Sequence, residues 1–309
     1  MSASGIPEGF DLEGYLAQQR ARVEEALLRS LAADRVRGVP EELLPVLRAG
    51  LLSGGKRLRP ILAVAGWQAL NPDGEPGAAL YDLSASLEMI HSYSLMHDDL
   101  PCMDDAPLRR GKPTPHVTFG VAAATRAGAV LIPLAARQAW TAARALGLDP
   151  AHAGEVVRCL CVAAGAQGMV AGQVLDLEAE GRSLDEAELS HLHGRKTGAL
   201  LAASLEMGAW AAGADAVERG ALLDYGRALG LAFQIADDVL DRTQSAETLG
   251  KQPSDQALAK STFVTLLGVA GARARAEQVV ERARKSLTAA GIRSVPLDAL
   301  AVYILRREH

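Results

Sequence analysis

The run HDDLPCMDDAPLRRGKPTPH, residues 97–116, sets Asp98, Asp99, Asp104 and Asp105 within eight residues and follows them with Arg109 and Arg110. Carboxylates this close repel one another unless arginines, metal ions or surface water offset the charge. A second acidic set lies in LAFQIADDVLD, residues 231–241. There Gln234, Asp237, Asp238 and Asp241 fall at i, i+3, i+4 and i+7, a single helical stripe. Phe233, Ala236 and Leu240 take an adjoining apolar face, and no lysine four residues away relieves the repulsion. A solvated acidic face is the plain alternative; the apolar flanks argue for a cleft wall. Oxygen donors without His or Cys beside them suit Mg²⁺ rather than zinc.

Asp104 stands six residues after Asp98. At ~100° per residue that spacing does not return to the same helical face. The helix carrying Asp98 must therefore end, as Pro101 suggests, with a loop bringing Asp104 round. Cations are concentrated in short motifs: Lys56, Arg57 and Arg59 in GGKRLRP; Arg109, Arg110 and Lys112 in LRRGK; Lys196 in GRKTG; Lys251 in LGK; Lys260 in LAKST. Any one alone is more often a solvated charge. Neighbouring glycines let the backbone come close to a ligand. Acidic metal ligands with dispersed cations read as one diphosphate site or two.

The elements that must position these residues are helical. Apolar residues make up 49% of the 309, dominated by Ala and Leu, and aromatics only 4%. Helices are expected over 11–52 with a break at Gly38-Val39-Pro40, near Pro60, from Ala78 to Asp99, and on either side of Leu148-Asp149-Pro150. Further ones are expected from about Ala153 to Leu177, after a capping box at Ser183 and Glu186, from Lys196, from Asp215, and from about Ala257 to the end. No strand alternation and no polar linker is seen, so residues 1–309 read as a single all-helical domain. A net charge of −5 argues against nucleic-acid binding. Cys102, Cys159 and Cys161 have no Cys-x-x-Cys spacing and read as unpaired thiols. No signal peptide is seen, and no uninterrupted apolar run reaches the ~20 residues of a transmembrane helix. A cytoplasmic setting is expected.

Taken together, GGKRLRP, the acidic run, RRGKPT, GQVLDLE, KTGAL, FQIADDVLD and LGK occur in the order and approximate spacing of the trans-isoprenyl diphosphate synthases. The chain resembles that family over almost its whole length, and most closely its bacterial farnesyl diphosphate synthases. The resemblance implies an all-α bundle around a central cavity, usually a homodimer. It implies a head-to-tail condensation of isopentenyl diphosphate with a C5 or C10 allylic diphosphate. Three Mg²⁺ would bridge the allylic diphosphate to both acidic motifs, and the departing diphosphate would take the final proton. Carried over by position, Asp98, Asp104 and Asp237 are metal ligands. Asp99, Asp238, Asp241, Arg109 and Lys196 join them in the catalytic set. Lys56, Arg59, His91 and Arg110 match the isopentenyl diphosphate site. Arg109, Lys196, Thr197, Gln234, Lys251 and Lys260 match the surroundings of the allylic diphosphate. Gln173 and Asp176 match a GQxxD element of lesser role. Tyr93, five residues and ~7.5 Å before Asp98 on a helix, would floor the tail cavity and favour a C15 product, with Met89 the next barrier.

The chain departs from the family pattern at Ala106-Pro107, where more aspartates are usual, at Ala129 in place of an aspartate, and at Ala259 in place of a glycine. The loop before Ala259 is also one residue short. These positions support the site rather than hold metal. Geranyl and geranylgeranyl diphosphate synthases remain alternatives. A class I terpene cyclase would not need GGKRLRP or the paired arginines, and a non-catalytic partner subunit would be expected to lose metal ligands. GRKTG is no P-loop, because Arg195 separates its glycine and lysine.

Overall fold

A computed structural model of the chain describes residues 9–243 and 261–306. The fold is all-α. The chain forms two compact units. One comprises Glu13–Val64 and Glu75–Arg158; the other comprises Met1–Leu12, Ala65–Gly74 and Cys159–His309. The chain passes from one unit to the other within α3 (Leu58–Leu70) and within α7 (Pro150–Ala164).

The first unit holds α1 (Leu12–Ser30), a 3₁₀ turn at Glu41–Leu43, α2 (Leu44–Leu51), α4 (Ala78–Asp98), α5 (Pro115–Phe119) and α6 (Val121–Ala145). Its axis is α4, buried almost all round from Leu80 to Met96. The alanines of α6, among them Ala124, Ala127, Ala135 and Ala139, are buried and let α6 lie close along α4. Buried charges on α4 are paired, as a charge withdrawn from water must be. Asp82 takes Arg29 at 2.8 Å and Arg35 at 3.2 Å, and Glu88 takes Arg57 at 2.7 Å.

The second unit holds α8 (Met169–Glu178), α9 (Glu186–His193), a π-helical turn at Gly194–Gly198, α10 (Ala199–Ala211), α11 (Ala216–Thr243), α12 (Phe263–Ala289) and α13 (Val295–Arg306). Its long helix, α11, packs on α10 and α12, and Tyr225 on it donates to the Leu297 carbonyl of α13 at 2.9 Å.

Four local expectations are corrected. The helix expected over 153–177 is broken at 165–168, where Gly168 takes φ −127°, ψ −123° and starts α8. By length and composition Pro150–Glu178 would suffice to cross a membrane, but its two pieces of 15 and 10 residues each fall short of the ~20 required. The capping box before α9 is Asp185 with Glu188, not Ser183 with Glu186. Leu184 stays outside the helix because its N–H is held by Ser261 Oγ at 2.9 Å. Lys196 lies in the π-turn rather than opening α10. A two-residue hairpin, β1 (Leu108–Arg109) against β2 (Lys112–Pro113), forms where no strand was expected. The start at Ala257 lies outside the described residues.

Candidate functional site

In the first unit the candidate residues collect around the C-terminal half of α4. Asp98 ends the helix and Asp99 caps it. The loop then curls back: Asp104 N–H donates to the Asp98 carbonyl at 2.8 Å, and Ala106 N–H to that of Asp99 at 3.2 Å. Six residues along the chain, Asp104 is thus returned to Asp98 by a loop. Asp98 is half-buried and Asp104 exposed. Asp99 is different. It is 2% exposed, and Arg109 Nε donates to both its oxygens, at 2.8 and 2.9 Å, with Nη2 at 2.6 Å from Oδ1. Burial works against the charge on Arg109, but the bond to Asp99 and the charges of Asp99, Asp98 and Asp104 outweigh it and raise its pKa. Arg109 is therefore a cation that holds the acidic cluster together. The hairpin delivers it, with Thr114 Oγ1 closing the loop onto the Ala106 carbonyl at 2.9 Å.

GGKRLRP divides its cations by backbone geometry. Arg57, with φ +52°, turns inward and is 2% exposed. It donates to Glu24 at 2.7 Å, Glu88 at 2.7 Å and the Leu51 carbonyl at 3.0 Å. It is a structural anchor. Lys56 remains exposed and Arg59 half-buried. Gly55 makes room for Arg110, which donates to the Gly54 carbonyl; a Cβ on Gly55 would lie 2.6 Å from its guanidinium carbon. Burial lowers the pKa of Arg110, Glu88 opposes this, and Arg57 and Arg109 add to it. His91, half-buried on α4, is held neutral: burial lowers its pKa well below the ordinary histidine value, reinforced by Arg59, Arg110, Arg109 and Arg57. One imidazole thus sits in the field of four guanidinium groups, a setting that favours an anion. Tyr93, one short stretch toward the N-terminus of α4, is 6% exposed and stands edge-on to His97, centroids 5.7 Å apart.

In the second unit the acidic stripe lies on the C-terminal half of α11. Gln234, Asp237 and Asp241 are half-buried. Asp238 is 5% exposed, and its Oδ2 accepts the Phe263 N–H at 2.7 Å. Thr197 Oγ1 meets Gln234 Oε1 at 3.1 Å. Lys196 Nζ lies 2.6 Å from Asp176 Oδ2, so the lesser GQxxD element turns out to hold the lysine of GRKTG. Two glycines permit the approach: a Cβ on Gly172 would lie 2.1 Å from the Lys196 nitrogen, and one on Gly230 would lie 2.5 Å from the Gly198 Cα. The turn carrying Lys196 and Thr197 is π-helical, a rare form often found at functional sites. The glycine of GQxxD was the available signal for this contact. Nothing in the local pattern signalled the Asp238 bond, whose partner is 25 residues away.

Both acidic motifs therefore treat their adjacent aspartates alike. The second of each pair, Asp99 or Asp238, is buried and hydrogen-bonded, while Asp98, Asp104, Asp237 and Asp241 keep contact with solvent. Among the described residues no three His, Cys, Asp or Glu side chains gather as a complete metal site. Of the departures, Ala129 is exposed on α6, beside a Gly128 against which the His97 ring packs. Lys251, Ala259 and Lys260 lie outside the described residues.

The family model described as polyprenyl synthetase matches residues 40–292. The chain is 41% identical over 302 residues to the dimethylallyltranstransferase of Fischerella ambigua (strain UTEX 1903), covering 97% of this chain and 85% of that one. It is 40% identical over 301 residues to the farnesyl diphosphate synthase of Geobacillus stearothermophilus, covering 97% and 99%. The crystal structure of an FPP/GFPP synthase from Zymomonas mobilis superposes with a TM-score of 0.79 at 34% identity, covering 96% and 99%.

Proposed function

The chain belongs to the polyprenyl synthetase family, and from that premise we propose that it adds isopentenyl diphosphate head to tail, twice in succession to a C5 or once to a C10 allylic diphosphate, to give farnesyl diphosphate. The reaction breaks the allylic C–O bond with loss of diphosphate. The double bond of isopentenyl diphosphate attacks the allylic carbon, and the released diphosphate takes a proton from the adduct to restore a double bond. Charge stabilisation of the leaving diphosphate is the main catalytic demand. The observation that carries the reading is that the C-terminal half of α4 and the loop after it carry both a cation-surrounded group, His91 among Arg57, Arg59, Arg109 and Arg110, and a pair of carboxylates in contact with solvent, Asp98 and Asp104. His91, Lys56, Arg59 and Arg110 would bind the diphosphate of isopentenyl diphosphate. Arg109, Lys196, Thr197, Gln234, Lys251 and Lys260 would serve the allylic diphosphate.

Asp98, Asp104 and Asp237 would hold magnesium. Their oxygen-only donors suit this ion, which takes one or two carboxylates and fills its remaining positions with water and substrate phosphate. Bound there, magnesium would neutralise charge on the leaving group. Residues 1–309 would serve as one prenyltransferase domain in a homodimer. Cys102, Cys159 and Cys161 are not joined in disulfides, which suits the reducing, cytoplasmic setting proposed for the chain.

Purified protein is incubated with Mg²⁺, isopentenyl diphosphate and each allylic diphosphate from C5 to C15, and the products are read by mass spectrometry. Farnesyl diphosphate is expected. Hydrocarbon formed without isopentenyl diphosphate would identify a cyclase instead, and a dominant C10 or C20 product would replace the C15 assignment.

A further inference from the structure

Asp237 and Asp238 are neighbours in sequence yet face different ways, because consecutive residues on a helix are turned by ~100°. Asp237 and Asp241, four apart, share a half-buried stripe. Asp238 is directed to α12 instead, and its Oδ2 accepts the first amide of that helix, Phe263 N–H, at 2.7 Å. A helix start leaves its first N–H groups without intrahelical acceptors. Thr262 Oγ1 supplies one acceptor, for Thr265 N–H at 3.1 Å; Asp238 supplies another from a different helix. The segment so capped is short, because α12 kinks at Gly268, where φ is +68° and ψ 167°.

The contact reaches further. Phe263 is wholly buried, and its ring lies 6.0 Å from the imidazole of His193. His193 ends α9 and leads directly into the π-turn that carries Lys196 and Thr197. Direct contacts thus link Asp238, through Phe263, to the turn that presents Lys196.

We propose that Asp238 is a positioning residue and not a magnesium ligand: its carboxylate fastens the start of α12 to α11 and thereby holds Phe263 against His193 and the Lys196 turn. A ligand must turn a lone pair toward the ion, on the side where Asp237 and Asp241 stand. Asp238 is 5% exposed and already receives a peptide N–H. What its place demands is an acceptor oxygen. A charge is secondary.

The catalytic part of this inference rests on the prenyltransferase reading; the anchoring part does not. Three variants separate the roles. Asp238→Asn retains an acceptor oxygen, Asp238→Ala has none, and Asp237→Asn alters a proposed ligand. Hydrogen exchange at the Phe263 amide is followed by NMR in the metal-free protein. It is expected to stay within about threefold of wild type in Asp238→Asn and to quicken about tenfold or more in Asp238→Ala. In turnover, Asp238→Ala should lose ~10–100-fold in kcat and Asp238→Asn distinctly less. Both should keep the wild-type Mg²⁺ concentration for half-maximal rate, while Asp237→Asn raises it. A shift in Mg²⁺ dependence in Asp238→Asn as large as that in Asp237→Asn overturns the proposal, as does unchanged Phe263 exchange in Asp238→Ala. If Asp238→Ala does not fold, Asp238→Asn decides by the same two readouts. A wild-type protein that makes no prenyl diphosphate would defeat the functional reading, and the exchange measurement would still decide the anchor.

Discussion

Arg109 illustrates how much a single side chain can organise. Its planar fork meets Asp99 through Nε and Nη2 at 2.6–2.9 Å, and its charge also answers Asp98 and Asp104. A lysine is a point charge and cannot reproduce the fork. Arg109→Lys is therefore expected to lower kcat/KM for the allylic diphosphate by ~10–100-fold, measured by steady-state kinetics, with the fold intact by circular dichroism. His91 makes a pH prediction at the same scale. Its folded pKa is depressed by burial and by Arg59, Arg110, Arg109 and Arg57, so the unfolded chain takes up its proton first. The stability associated with neutral His91 is present above about pH 6.5 and is lost as pH falls from there toward the folded pKa. Urea unfolding at pH 7.5 and pH 5.5 should show a smaller acid loss in His91→Gln than in the wild type; equal losses would remove His91 from that account.

Elements determine where such side chains can act. The Lys196 turn is wedged between α8 and α11 only because Gly172 and Gly230 carry no Cβ, with 2.1 Å to the Lys196 nitrogen and 2.5 Å to the Gly198 Cα as the distances a methyl group would have to survive. Gly172→Ala is expected to cost about 1–3 kcal/mol of stability by overpacking and to lower activity, read by thermal melting and by product formation. A variant as stable and as active as wild type would mean that the turn yields freely. On α4, the spacing between Tyr93 and Asp98 spans ~7.5 Å, and Tyr93 is 6% exposed. Tyr93→Ala should lengthen the product beyond C15 by mass spectrometry; an unchanged C15 product would refute the floor. The break at 165–168 and the hairpin at 108–113 show where periodicity misleads. Apolar spacing runs on across the break, and two-residue strands are too short to alternate.

At the scale of the whole molecule, the chain has a mass of 32.4 kDa, and the proposed homodimer should give twice that by light scattering; a persistent single-chain mass at assay concentration would remove it. The all-α class was legible from alanine and leucine content, from helical spacing and from punctuation by proline and glycine, because those are local preferences each residue carries with it. So were the two acidic motifs and the loop that returns Asp104 to Asp98, since a spacing of six cannot share a helix face. What the chain alone could not separate were chemically identical neighbours. Asp98 and Asp99, or Asp237 and Asp238, differ only in what stands opposite each one: solvent, the Arg109 fork, or the first amide of a helix that begins 25 residues later. Arg57 and Arg59 part company for the same reason, one buried between Glu24 and Glu88. Residue type and spacing determined which groups this protein brings to its chemistry. Only tertiary packing decided which of them are spent holding the structure, because burial and partnership are properties of distant segments meeting in space.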